Sequence, residues 1–397
     1  MSFVLEKPPV FAETPDSLAA RLVAIGEKAF RAGQVFDWLY KKRVFAPADM
    51  KNLPVSLRTW LAGTFDFEPN QPVRESISGD ETRKHLQRLR DGSLVETVLL
   101  SAPREAESED GGADAEGRVP SGAGAVTGHS RRRLTVCLST QVGCAMGCRF
   151  CASGLEGFSR NLSAGEIVGQ LLSALSVAAR EAAPKTARDV VSGAGSPPPA
   201  VPVLPDNIVV MGMGEPFANY DNLLAALRVF NAPWALGLGA RRVTVSTCGL
   251  VPRILDFARE SLGTRLAVSL HGATNAVREQ IMPINKTWPL EKLLPACEVF
   301  SREHGRMLTL EYILIDGLND SSGQALALAG IAARLHAHVN LIPCNPVPGL
   351  PWRRPPSARS ARFFDILCHR NISATLRREK GAGIDAACGQ LRRQHAA

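Results

Sequence analysis

Cys144, Cys148 and Cys151 stand at C-x3-C-x2-C spacing in the run Gln141–Gly154, with Phe150 between the second and third. A loop with this spacing can close on a single iron-sulfur cluster. A cubane ordinarily takes four cysteines, so three thiolates leave one iron open to a ligand that is not protein. The competing chemistry is a structural zinc knot, since C-x2-C pairs also hold zinc. Zinc usually draws its cysteines from two separated knuckles, and the chain has neither a second C-x2-C nor an H-x3-H pair.

The cysteine loop resembles the cluster motif of radical S-adenosylmethionine enzymes, which commonly carry an aromatic where Phe150 stands. That resemblance implies a [4Fe-4S] cluster whose open iron chelates the amino and carboxylate groups of S-adenosylmethionine. An electron from the cluster then breaks the sulfonium bond and releases a 5′-deoxyadenosyl radical. Met211-Gly-Met-Gly-Glu-Pro216 resembles the Gly-Glu-Pro element with which such enzymes hold the cofactor's amino group. It is no phosphate loop, because the Lys and the following Ser or Thr are absent. Val245-Ser-Thr-Cys-Gly249 and Val268-Ser-Leu-His-Gly272 put hydroxyls and an imidazole at the ends of apolar runs, where they can bond a nucleoside's ribose and carboxylate. Each can equally satisfy its own turn. Asn340-Leu-Ile-Pro-Cys-Asn-Pro346 places Asn345 at the same rim.

These residues need elements to position them. From residue 133 onward, apolar runs alternate with helical periodicity. Strands are expected at Leu134–Ser139, Asn207–Met211, Arg242–Ser246, Arg265–Leu270, Leu308–Ile313 and Val339–Ile342. Helices are expected over 163–180, 221–231, 251–260, 290–304, 322–336 and 357–370. Strand-helix repeats with right-handed crossovers give a parallel α/β sheet wound into a partial (β/α)6 barrel, with the chemistry at the carboxyl ends of the strands. Upstream, 15–65 reads as a small helical unit in which Phe30, Val35, Trp38 and Leu39 recur at helical intervals before the cations Lys41, Lys42 and Arg43. His85–Arg90 and Leu94–Leu100 form a hairpin through the Asp91-Gly92 turn. The expected division is an accessory unit over 1–70, the hairpin extension over 71–102, the barrel over 133–378 and a C-terminal loop over 379–397. Stretches 103–132 and 181–205, poor in large apolar side chains, are expected to be flexible insertions.

A chain of 397 residues can bury a core without disulfides or a structural metal, so its nine scattered cysteines point to function. No signal peptide and no apolar run of membrane-spanning length is evident, so a cytosolic protein with reduced thiols is expected. A net charge of +8 suits a polyanionic partner without proving one. Cys248, Cys297, Cys344 and Cys368 read as small buried hydrophobes. Cys388, in a glycine-rich setting, reads as an exposed thiol.

Taken together, Gly26–Trp38, Thr135–Cys144, Arg160-Asn-Leu162 and Ile384-Asp-Ala-Ala-Cys-Gly389 resemble the radical RNA adenosine methyltransferases of the RlmN and Cfr type. The likeness spans most of the chain outside the two insertions. Its most specific features are Cys137, seven residues before the cluster motif, and the Asp-Ala-Ala-Cys-Gly tail. It implies that one S-adenosylmethionine methylates Cys388 by displacement and a second supplies the radical, two per turnover. The radical takes hydrogen from the S-methyl group, and the thiomethylene radical adds to an electrophilic adenine carbon that could not attack a sulfonium methyl. Cys137 then releases the product as a transient disulfide with Cys388. Glu96 matches the family's proton acceptor, although an alternating strand would otherwise turn such a carboxylate to solvent. Gly214, Glu215, Ser246, Ser269, Leu270, His271 and Asn345 match the cofactor contacts, and Cys144, Cys148 and Cys151 the metal ligands. Cys344 stands where the family often has a bulky aromatic.

The resemblance further implies C2 methylation of an adenosine in 23S rRNA near the peptidyl-transferase centre and of an adenosine beside the anticodon of some tRNAs, with the base unstacked for access. It also implies an electron-donor protein such as flavodoxin, an RNA-contacting N-terminal unit and a monomer. C8 methylation of the same rRNA nucleotide uses the same cysteines. A radical activase would share the cluster without needing Cys388, and a zinc-bearing RNA-binding protein would need neither.

Overall fold

The computed structural model describes residues 7–102, 132–155, 157–182, 204–377 and 380–391. Of the two expected insertions, 103–131 and 183–203 lie outside the described residues.

Ten strands form one sheet in the order β1-β2-β3-β4-β7-β8-β9-β10-β11-β12. β4 (Arg133–Cys137), β7 (Asn207–Val210), β8 (Val243–Thr247), β9 (Arg265–Ser269), β10 (Thr309–Leu314) and β11 (His338–Pro343) are the six expected strands, all parallel. A short seventh, β12 (Ala374–Leu376), joins parallel to β11 and escaped the sequence reading because its three residues carry no periodic signal. The strands are apolar runs because helices cover the outer face. The helix Tyr220–Asn231, for example, buries Leu223, Leu227 and Phe230.

The hairpin is part of this same sheet. β1 (Gln71–Ile77), β2 (Arg83–Arg88) and β3 (Leu94–Ala102) pair antiparallel, and β3 continues onto β4 with Val98 opposite Cys137. Gly92, at φ 83°, supplies the left-handed residue of the turn between β2 and β3. Lys84, opposite Val98, and Glu96, two residues before Val98, are thereby carried to the edge of the barrel. The short hairpin of β5 (Gln141–Gly143) and β6 (Phe158–Asn161), which the sequence reading missed, clamps both ends of the cysteine loop.

The N-terminal unit consists of the helices Pro15–Ala24, Arg31–Phe36 and Val55–Thr64, with a wider π turn over Asp37–Lys41 in place of a continuous helix. The first helix is closed by a reciprocal cap between Thr14 and Ser17. Trp234 of the barrel packs on Phe36 and Tyr40 with ring centroids 4.9 and 5.8 Å away, locking this unit to the barrel. Of the three cations, Lys41 and Lys42 are exposed and Arg43 is partly buried. Lys41 pairs with Asp37 at 2.6 Å, Lys42 lies 3.6 Å from the Trp38 ring centroid, and burial lowers Arg43 to about 10. Among the described residues no helix is long and apolar enough to cross a membrane.

Candidate active site

The cysteine loop leaves β5 at the carboxyl end of the barrel. Its turns are local: Cys151 N–H donates to Cys148 O at 3.1 Å, and Cys144 N–H to Gly157 O at 3.2 Å. Phe150 stands edge-on to His271 with centroids 4.8 Å apart. Phe150, Cys248, Ile281, Met282 and Ile313 make a dry wall against which Met146, Cys148 and Cys151 pack. Burial is the first cause raising all three thiols, Cys144 to about 12 and Cys148 well above its ordinary value. Cys148 also feels both other thiols. Such thiols keep their protons unless a cation displaces them, as metal ligation does. No group of His, Cys, Asp or Glu among the described residues is gathered tightly enough to hold a single metal ion. A cubane spreads its ligands farther apart than one ion does, and three soft thiols on one loop fit that donor set.

Gly214 and Glu215 lie across from this loop. Gly214 has φ 101°, and a Cβ there would stand 2.5 Å from Gln141 Cβ, so only glycine lets the turn approach β5. Gln141 Oε1 accepts from Glu215 N–H at 2.8 Å. The buried Glu215 carboxylate accepts from Phe217 N–H at 3.0 Å and Cys248 N–H at 2.8 Å, while burial raises its pKa. Both oxygens already serve backbone, so any bond to a cofactor amino group uses their remaining lone pairs.

Ser246 and Ser269 place their hydroxyls 3.4 Å apart on neighbouring strands. His271, at φ 57°, accepts on Nδ1 from Ile313 N–H at 3.0 Å, and burial lowers it to about 3. It is therefore neutral, with its proton on Nε2. Leu270 is fully buried, and its carbonyl accepts from Arg278. Asn345 Nδ2 donates to Cys388 O at 3.3 Å.

The C-terminal loop closes over the same rim. Gly389 O accepts from Ala152 N–H at 2.7 Å and Leu391 O from Ser153 Oγ at 2.7 Å, tying the loop to the cysteine motif. Cys388 is exposed, and Arg377 Nη1 reaches its Sγ at 3.7 Å. Cys137 is buried with Val98, Met213, Ala386 and Leu391, and burial followed by the nearby Cys388 charge pushes it to about 12. The residues flanking Cys388 reach both thiol sites: Gly389 bonds Ala152 beside the cluster motif, and Ala386 packs with Cys137.

Glu96 does not face solvent. It is 1% exposed and bonded to Lys84 Nζ at 2.9 Å, and Lys84 also donates to Asp385 O at 3.2 Å. The reversal follows from both faces of β3 being covered: Thr97 meets Gln170 of the helix Ala164–Ala182 on one, and Glu96 on the other meets Lys84, which is bonded to the C-terminal loop. The sequence reading missed Lys84, Arg377, Arg278 and Glu311. Glu311 is buried on β10, with Asn340 Nδ2 donating to it at 2.7 Å. A carboxylate inside the apolar run Leu308–Ile313 was the available signal.

A parallel partial barrel with a three-cysteine loop after its first strand and a Gly-Glu-Pro turn after its second defines a radical S-adenosylmethionine enzyme. The radical SAM superfamily pattern matches residues 203–329, and the ribosomal RNA large subunit methyltransferase N-terminal domain matches residues 12–66. A probable dual-specificity RNA methyltransferase RlmN 3 of Opitutus terrae is 56% identical over 99% of this chain and 96% of its own length. Its counterpart in Akkermansia muciniphila is 45% identical over 97% of this chain and 95% of its own. The crystal structure of a radical SAM methyltransferase from Sphaerobacter thermophilus superposes with a TM-score of 0.82 at 40% identity, covering 98% of this chain and all of that one. The chain belongs to the RlmN family of RNA methyltransferases, and its cofactors are a [4Fe-4S] cluster and S-adenosylmethionine.

Proposed function

We propose that this enzyme methylates C2 of an adenosine in 23S rRNA and of an adenosine next to the anticodon in some tRNAs, carrying the methyl group on Cys388. The observation that supports it most is that the loop carrying Cys388 touches both the cluster motif, through Gly389 and Ala152, and Cys137, through Ala386.

Cys144, Cys148 and Cys151 hold the cluster, and Gly214, Glu215, Ser246, Ser269, Leu270, His271 and Asn345 line the cofactor beside it. Loaded, that centre supplies the one-electron cleavage that yields a 5′-deoxyadenosyl radical, and two S-adenosylmethionine molecules are used per turnover. Cys388, exposed beside Arg377, accepts a methyl group as a thioether. Hydrogen abstraction from that methyl leaves a carbon radical on Cys388, which bonds to the adenine carbon. Glu96, held by Lys84, takes the ring proton. Cys137, as thiolate, bonds to Cys388 sulfur, and the carbon-sulfur bond breaks with its electron pair toward the base. The methylene takes a proton to become the methyl group, the adduct's unpaired electron would leave to the oxidised cluster, and external thiols reduce the disulfide. The buried wall of Val98, Met213 and Ala386 keeps water from Cys137 until that step. The enzyme works as a monomer with a flavodoxin-like electron donor.

The test is mass spectrometry of nucleosides from rRNA and tRNA incubated with the anaerobically reconstituted enzyme, S-adenosylmethionine and a reductant. C2-methyladenosine from wild type and none from Cys388→Ala is expected. C8-methyladenosine, or cofactor cleavage without any methyladenosine, would overturn this reading.

A further inference from the structure

Arg278, on the helix Asn275–Ile281, is the bulkiest of the fully buried side chains among the described residues. Its Nε donates to Leu270 O at 3.1 Å, Nη1 to Asn285 Oδ1 at 2.9 Å and Nη2 to Cys248 O at 2.7 Å. Every one of these acceptors is neutral. Among the described residues no carboxylate forms an ion pair with it, and the acidic Glu215 nearby spends its bonds on Phe217 and Cys248 N–H. Burying a cation is costly unless an anion compensates it.

The Nη2 partner, Cys248, belongs to the same apolar wall on which Cys148 and Cys151 of the cluster loop pack. That loop is fastened to Arg278's own helix. Arg149 N–H donates to Ile281 O at 2.9 Å, while Met146, Cys148 and Cys151 pack against the apolar cluster that contains Ile281 and Met282. Arg278 thus lies under the metal-facing loop from the protein side.

We infer that Arg278 is the fixed counter-charge of the iron-sulfur cluster, setting how readily the cluster accepts its electron. The inference rests on Cys144, Cys148 and Cys151 holding that cluster. Reduction adds one electron from the external donor and makes the cluster one unit more negative, with no bond made or broken. A buried cation favours the more negative state and raises the reduction potential. Arg278 acts through electrostatics and is a positioning residue, not a catalytic one.

The experiment is a redox titration of the anaerobically reconstituted full chain with dithionite, monitored by electron paramagnetic resonance. It compares wild type, Arg278→Gln and Arg278→Lys. At the wild-type midpoint, Arg278→Gln is expected to show a reduced-to-oxidised ratio about tenfold lower, equivalent to about 59 mV for one electron, with Arg278→Lys close to wild type. Thermal unfolding gives a second reading: loading the cluster should raise the unfolding temperature of wild type more than that of Arg278→Gln. Equal potentials in all three proteins, a fall in Arg278→Lys as large as in Arg278→Gln, or loss of iron or fold from both variants would overturn the inference. Wild type that binds no iron would instead sink the assignment of the three cysteines.

Discussion

Lys84 Nζ lies 2.9 Å from Glu96 Oε1, with both side chains almost wholly withdrawn from water. Neither charge can be removed alone without stranding the other in a dry site. Lys84→Met should therefore cost about 3 kcal/mol or more of stability, and Glu96→Gln a similar amount. The double variant should recover much of that loss. Urea denaturation of the double-mutant cycle measures it, and additive losses would show that the two groups are not coupled. Lys84 also holds Asp385 O, so its loss should slow methyl transfer as well.

Cys137→Ala should stall the reaction after carbon-carbon bond formation, because no thiol remains to release Cys388. A protein-RNA adduct joined through Cys388 is then expected on a denaturing gel. Free methylated RNA at the wild-type rate from Cys137→Ala would remove Cys137 from the mechanism.

The parallel strands were legible because their apolar runs are continuous, and the cysteine loop because its spacing is local. Residues acting across the fold were not. Lys84 and Glu96 are twelve positions apart, yet Lys84 pairs with Val98 and Leu86 with Glu96, making them diagonal neighbours on one face. The Asp91-Gly92 turn fixes that register, so the pair could have been read once the hairpin was drawn. Its burial could not, because that depends on the distant C-terminal loop closing over this face at Asp385. Arg278 was hidden for the same reason. A cation in a seven-residue helix reads as solvent-facing until the strand-end loops of Cys248 and Leu270 close on it.

Alkaline pH should destabilise the cluster-free protein. Burial pushes Cys137 and Cys297 up to about 12, against an ordinary value of 9.0. The native state thus holds protons that the unfolded chain gives up. The stability this confers is fully present below pH 9 and is lost as pH rises toward 12, by about 1.4 kcal/mol per thiol per pH unit. The urea midpoint should fall between pH 8 and pH 10, and Cys297→Val should flatten that fall. A midpoint unchanged by pH would contradict the cause given.

Gly214→Ala should damage both fold and cofactor binding. Its Cβ would meet Gln141 Cβ at 2.5 Å and Gln141 N at 2.9 Å, at φ 101°. A loss of about 2 kcal/mol is expected from strain and overpacking. Titration with S-adenosylmethionine should show weaker binding. Unaltered affinity would place the cofactor away from this turn.

The most direct test of the central claim is a single turnover with enzyme whose Cys388 already carries an isotopically labelled methyl group, supplied with unlabelled S-adenosylmethionine, reductant and rRNA. If Cys388 is the carrier, the first methyladenosine formed contains the labelled carbon. First-turnover product with an unlabelled methyl, while the label stays on Cys388, would contradict the account.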